Sequence, residues 1–214
     1  MDAHHDEMEL PVFALHTVLF PEGTVTLRVF EPRYLALMDD VLPAGRFVVV
    51  AIRTGQEVGG DYEPDRVGVT VSIDAHVRDD DGTHRLRIAG RDRVSLIARV
   101  RDDPYPVWHV EAFHDEGGAG TDDVEATREA LLAYLEATGG SGGRPPAVPH
   151  DPVSASYALA AAVPGSIPER QVLLELPGAG ERLHAVRAVF RKEAALVRAL
   201  GAGAGGASLD VNPN

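Results

Sequence analysis

Residues 10–42, LPVFALHTVLFPEGTVTLRVFEPRYLALMDDVL, hold two strand-like runs, a Pro-Gly turn and the start of a helix. Leu10 to Leu15 is a short apolar run, and Phe20-Pro21-Glu22-Gly23 is a turn signal in which proline fixes φ and glycine can take φ > 0. From Thr24 to Phe30 the chain alternates. Val25, Leu27 and Val29 point one way and Thr24, Thr26 and Arg28 the other, the period of a half-buried strand. At Glu31-Pro32 the period changes. Proline suits the first helical position, where its missing N–H costs nothing, and Tyr34, Met38 and Val41, with Leu35 and Leu42, recur at helical spacing.

Downstream, Pro43-Ala44-Gly45 ends the helix, and Arg46 to Ile52 (RFVVVAI) is a continuous β-branched run, expected as a central strand buried on both faces. Thr54 to Asp65 is Gly- and acid-rich and is expected as a loop. Val67, Val69, Val71, Ile73, Ala75 and Val77 then alternate with Gly68, Thr70, Ser72, Asp74 and His76, and Asp79 to Gly82 turns the chain back into His84 to Ala89 through an Asp-Gly hairpin. Gly90 to Arg93 is expected to separate that strand from Val94 to Val100. Pro104 and Pro106 bracket Tyr105 before a last strand, Val107 to Phe113. Six or seven short strands with one early helix predict an α+β chain whose sheet is strongly bent or partly closed into a barrel.

The composition shifts at Asp115. Glu116 to Gly120 is a joint, and Thr121-Asp122-Asp123 followed by Glu125 starts a helix with carboxylates where the dipole favours them. Val124, Leu131, Leu132 and Leu135 give that helix its apolar face, and Gly139 to Pro149 (GGSGGRPPAVP) is expected as a linker. Helices are predicted over Ser154 to Val163, Pro168 to Leu176 and Glu181 to Leu200, the last with Leu183, Val186, Phe190, Ala194 and Val197 on one stripe. The expected organisation is a tail over 1–9, a β-rich lobe over 10–116, a helical bundle over 117–200 with its linker at 139–150, and a Gly/Ala-rich disordered tail over 201–214.

Charge and composition exclude several functions. With 20 basic and 33 acidic residues the formal charge is −13, a field that repels phosphate backbones and anionic lipid, so neither nucleic acid nor membrane is an expected partner. There is no cysteine, hence no disulfide or thiolate chemistry. Met1 to Glu9 is polar and acidic, unlike a signal peptide, and no apolar run approaches ~18 residues, so a cytoplasmic location is expected. Lys192, the only lysine, lies between Arg191 and Glu193, so it belongs to no Gly-Lys-Ser/Thr phosphate loop and has no serine close in sequence to activate.

No cofactor or metal is expected. Gly201 to Gly206 spells GxGxxG without a strand before it or a helix after it, and Gly178-Ala179-Gly180 is expected as a helix–helix turn. His4 and His5 have no supporting residues around them. His109 and His114, five apart, face opposite sides of a strand, and His76 and His84 flank a hairpin turn where exposed rings are expected. Asp39-Asp40, Asp79 to Asp81 and Asp102-Asp103 sit at turns or helix ends, where Asp caps backbone donors.

LPVF, VLFPEG and VFEPRYLALM resemble the opening of the LON domain, the amino-terminal domain of Lon proteases. FVVVAIRTGQEVGG, Val67-Gly68-Val69, Asp81-Gly82, Gly90-Arg91-Asp92-Arg93-Val94 and Asp103-Pro104-Tyr105-Pro106 follow in the family's order, so the resemblance covers about residues 10 to 200. It implies a PUA-like β lobe followed by a helical bundle. It also implies binding of polypeptide without catalysis: exposed apolar peptides, or a protease or chaperone partner, held in a cleft between the lobes. Phe20, Phe30, Arg33 and Tyr34 from the opening motif, with Trp108, are the expected peptide-binding residues. Glu31 is the expected partner of Arg33, whose charge opposes the helix dipole. Two other classes stay open: a hydrolase, and a small-ligand or RNA-binding module using Arg182, Arg187, Arg191, Lys192 and Arg198 of the last helix.

Overall fold

The computed structural model describes residues 8–42, 45–59, 61–139 and 145–204. Among these, the strands are β1 (Met8–Leu15), β2 (Thr24–Val29), β3 (Phe47–Gly55), β4 (Tyr62–Pro64), β5 (Val67–Arg78), β6 (His84–Arg101) and β7 (Val107–Ala112). The helices are α1 (Pro32–Val41), α2 (Thr121–Ala137), α3 (Pro152–Ala161), α4 (Ile167–Glu175) and α5 (Ala179–Ala204). Five strands follow one another as β1-β7-β6-β5-β3, and β3 returns to β1 as a parallel neighbour, which closes the ring. The remaining contacts are antiparallel, and the parallel pair is reached by the long crossover that carries β2 and α1. The bent, partly closed sheet read from the sequence is therefore the observed architecture.

Three cores follow from which face each apolar residue takes. Val12, Ala14, Val48, Val50, Ile52, Val94, Leu96 and Val110 fill the inside of the ring. Phe47 and Val49, on the other face of β3, pack with Tyr34, Leu37, Met38 and Val41 of α1, so β3 is buried on both sides as its unbroken apolar run requires. Phe20, Ala51, Val67 and Val69 pack against Leu131, Leu159, Leu174, Leu183, Val186 and Phe190 of the helices.

Several boundaries differ from expectation, each for a local reason. β1 starts at Met8, so residues 8 and 9 are strand and not tail. The helix stripe of α1 includes Leu37, which the spacing argument passed over. Tyr62–Pro64 adds a short strand to the presumed loop. The first five residues of β5 are all buried, and its alternation is interrupted by register shifts after Val69 and after Ile73. Gly90 to Arg93 does not divide two strands: β6 runs unbroken from His84 to Arg101, pairing β2 along its first half and β7 along its second. In the Phe20–Gly23 turn it is Glu22, not the glycine, that adopts positive φ, at 64°.

The helices need similar adjustments. Of the expected apolar face of α2, Leu131 is buried and Val124 and Leu135 pack partly buried beside it, while Leu132 is exposed and Thr127 and Ala130 complete the buried face. α5 continues to Ala204, which places Gly201 and Gly203 in helix. Residues 1–7, 140–144 and 205–214, where most of the two tails and part of the linker were expected, lie outside the described residues.

At the tip of the β5–β6 hairpin, where Gly82 takes φ of 83°, His84 is not the exposed ring that the sequence suggested. It is 3% exposed, its Nδ1 lies 2.9 Å from His76 Nε2, and the two rings stack. Burial first, then His76 and Arg78, pull His84 below the ordinary imidazole value, with Asp39 opposing. The fold thus prefers the neutral ring: its contribution is complete above about pH 6.5 and is lost as pH falls through the lower folded value. Urea midpoints at about pH 7.5 and about pH 5.5 should therefore differ more for the native chain than for His84→Gln. Equal differences would remove His84 from the pH response.

Candidate functional site

The start of α1 is fixed to the segment after β3. Glu31 is the extended N-cap residue and Pro32 takes the first helical position. Arg33 Nη2 lies 3.1 Å from Glu31 Oε2 and donates to the Glu57 carbonyl at 3.0 Å, while the Gly59 N–H donates to Glu31 Oε2 at 3.1 Å. The expected partnership of Arg33 with Glu31 is present, and a backbone carbonyl is added to it. Arg33 also covers two rings, with Cζ 4.6 Å from the Tyr34 centroid and 5.5 Å from that of Tyr62. Its Nε is buried without a hydrogen-bond partner.

Tyr34 and Phe20 are not surface groups. Tyr34 is 2% exposed, stacks on Phe13 at 3.9 Å, and accepts the Ala14 N–H at 3.3 Å. Burial first, then nearby Tyr62, raise its hydroxyl far above the usual range, so it stays protonated. Phe20 is buried in the core between sheet and helices, since a ring of that size removes more apolar surface from water there than any rim position could. Phe30 is different: it is 49% exposed, beside Val58 at 53%. The two stand over a cavity of about 200 Å³ floored by Phe13, Leu15, Leu27 and Tyr34 and edged by Thr26–Phe30. β2 pairs only with β6 among the described strands, and Thr26 to Val29 of β2 line this cavity.

A second cavity, of about 660 Å³, opens beyond Arg33 and is lined by Thr54, Asp61, Tyr62, Glu63, Arg99 and Asp102. Trp108, half-buried on β7, supports it from behind through Arg99, whose Cζ lies 5.1 Å from the indole ring. Of the five expected binding residues, then, Phe30 and Tyr34 line the first cavity, Arg33 lines the second, Trp108 backs the second through Arg99, and Phe20 lies elsewhere. Val58, Tyr62 and Arg99 were missed, because a loop valine and a strand arginine carry no pattern of their own.

The seam between strands and helices, expected as the peptide cleft, is largely filled. Besides the shared apolar core it holds Arg182, 0% exposed, and Arg93, both against Asp115 Oδ1, at 2.7 Å and 3.1 Å. Arg182 also donates to the carbonyls of Leu173 and Leu176 and to Ser156 Oγ, and Arg93 to those of Leu174, Leu176 and Pro177. The last carbonyls of α4, which no helical N–H can reach, are capped by two guanidiniums from other elements. What opens at this seam is a mixed cavity of about 430 Å³ lined by Arg46, Arg91, Arg93 and Asp115 together with Val94, Phe113, Val153 and Tyr157.

Because Arg182 is consumed in that hub, the basic run expected on the last helix loses its first member. Lys192 is on the exposed face of α5. A phosphate has no room at Gly178, where a Cβ would already lie 2.2 Å from the Glu116 carbonyl oxygen. Among the described residues no three His, Cys, Asp or Glu side chains gather as metal ligands, and no helix is long and apolar enough to cross a membrane.

Comparison with known proteins decides the family. The family model for the substrate-binding domain of the ATP-dependent protease La (LON) matches residues 9–189. The chain belongs to that family. The matched span is the LON substrate-binding domain, with no protease or ATPase domain in it. Lon protease 2 of Herpetosiphon aurantiacus is 27% identical over 200 residues, which is 87% of this chain but 24% of that protein. The chain thus spans about a quarter of the length of that relative. The Lon N-terminal domain protein of Xanthomonas campestris superposes with a TM-score of 0.62 at 27% identity, covering 85% of this chain and 98% of that one. The N-terminal domain of the Mycobacterium avium complex Lon protease shares the fold, with a TM-score of 0.61 at 20% identity over 86% of this chain and 98% of its own. The LON resemblance drawn from the opening motif is therefore the family, and the α+β LON fold is the fold observed.

Proposed function

We propose that this LON domain is a non-catalytic module that grips exposed apolar segments of other polypeptides in the groove beside β2 and α1. One observation carries the reading: Phe30 and Val58, two large apolar residues about half exposed, flank an apolar cavity lined by residues of β2, which pairs on one side only among the described strands. Apolar surface left in water at a concave site favours an apolar occupant, and a free strand edge offers main-chain hydrogen bonds to an extended one. The family supports a polypeptide ligand, since the matched domain is named for substrate binding. A catalytic role has no support from the sole lysine, Lys192, which stands on a solvent face with no serine close to it in sequence.

Labelled, reduced and carboxymethylated lactalbumin is a suitable probe because it stays unfolded. Fluorescence anisotropy should show it binding the native chain, and Phe30→Ser should raise the Kd about tenfold, as for loss of a central apolar anchor. The thermal midpoint should barely move, because Phe30 packs little in the free protein. An unchanged Kd, or no binding by the native chain, would remove the groove from consideration.

A further inference from the structure

Resting on the groove reading above, we propose that the site selects extended segments in which a large apolar residue lies a few positions from a lysine or arginine. Arg33 stands between two cavities: it lines the polar one, while its guanidinium is held by Glu31 and the Glu57 carbonyl, both of which line the apolar one, and covers the Tyr34 and Tyr62 rings. A chain crossing Arg33 places one side chain on each side of it.

The polar cavity has an uneven charge. Arg33 and Arg99 line it against Asp61, Glu63 and Asp102, and Arg33 is already held by Glu31 at 3.1 Å. Arg99 meets Asp102 at 3.0 Å and Arg53 meets Glu63 at 2.7 Å, which leaves Asp61 as the carboxylate without a partner among the described residues. Both of those pairs are solvent-exposed, so an entering ammonium or guanidinium can share their carboxylates at little expense. A carboxylate on the ligand would instead face three of its own sign. The formal charge of −13 acts in the same direction over longer range, favouring the approach of cationic segments. The apolar cavity supplies affinity, and the Asp61 side supplies choice.

Three labelled peptides test this, identical except for lysine, glutamine or glutamate three positions from a leucine anchor. On the native chain the lysine peptide should bind about fivefold more tightly than the glutamine peptide, with the glutamate peptide weakest and the spread narrowing at high salt. Asp61→Asn should remove the lysine preference and Asp61→Arg should reverse it; Asp61 is exposed, so neither variant threatens the fold. Phe30→Ser should weaken all three peptides equally. Equal affinities on the native chain, or a lysine preference unchanged in Asp61→Arg, would overturn the charge selection and leave the apolar groove standing. No binding of any peptide would overturn both.

Discussion

Replacing Asp115 by alanine is expected to destabilise the fold by about 3–5 kcal/mol, lowering the thermal midpoint by roughly 10 °C. Asp115 is the carboxylate for two buried guanidiniums, Arg182 at 2.7 Å and Arg93 at 3.1 Å, and it also accepts the Tyr157 hydroxyl. Burial first, then that hydrogen bond, keep the Tyr157 proton in place well above the ordinary range, so the phenol stays a neutral donor to the Asp115 carboxylate. Without the carboxylate, two cations remain with side chains only 1% and 0% exposed, and burial first, then the neighbouring Arg182, already pull Arg93 below its ordinary value. The uncompensated charge left behind is what makes breaking such a pair far more damaging than breaking an exposed one.

A double variant, Asp115→Ala with Arg182→Met, should recover part of the stability, because the buried charge is removed with its partner. Recovery should stop short of the native value, since Arg182 also caps the Leu173 and Leu176 carbonyls. Urea denaturation of the three proteins measures this. A single-variant loss below about 1 kcal/mol, the size found for exposed pairs, would mean that the hub does not join helices to sheet.

How legible this was in the sequence depends on the kind of residue. Alternation from Thr24 to Phe30, the unbroken RFVVVAI run and the Asp-Gly turn each state one element, because apolar periodicity is the direct imprint of which face is buried. Phe30 was legible too: it shares parity with Thr24, Thr26 and Arg28, which puts it on the outward face of β2, although a phenylalanine is buried by default. The charged hub was not, since arginine and aspartate are expected in solvent and nothing in a linear chain says that Asp115 meets residues 93 and 182. One signal was available. Arg182 falls on the stripe of Leu183, Val186 and Phe190, and an arginine on the apolar face of a helix needs a buried partner. The groove around Arg33 was half legible, because the helix start shows in the motif while Val58 and Asp61 come from a segment with no period.

Gly90 is where the sequence and the fold disagree most, and it yields the other large effect. A glycine within an alternating run reads as punctuation, yet here it marks a close backbone approach inside one continuous strand. A Cβ at Gly90 would lie 2.4 Å from the Phe20 carbonyl oxygen and 3.2 Å from Val69 Cγ1. Two hydrogen bonds hold the turn to the strand at this point: Glu22 N–H to the Gly90 carbonyl at 3.0 Å, and Gly90 N–H to the Gly23 carbonyl at 2.8 Å. Gly90→Val must push the turn away, breaking both bonds and dragging Phe20 from the core between sheet and helices, so a loss of about 3 kcal/mol or more is expected. Gly82→Ala is the comparison. Its φ is 83° but nothing lies near its missing Cβ, so it should cost only about 1 kcal/mol of backbone strain. Because the turn leads directly into β2, which edges the apolar cavity, Gly90→Val should also weaken peptide binding where Gly82→Ala leaves it intact. Calorimetric midpoints and lactalbumin anisotropy on the two variants give both readouts, and equal losses in the two would show that strain, not contact, governs the glycines of this sheet.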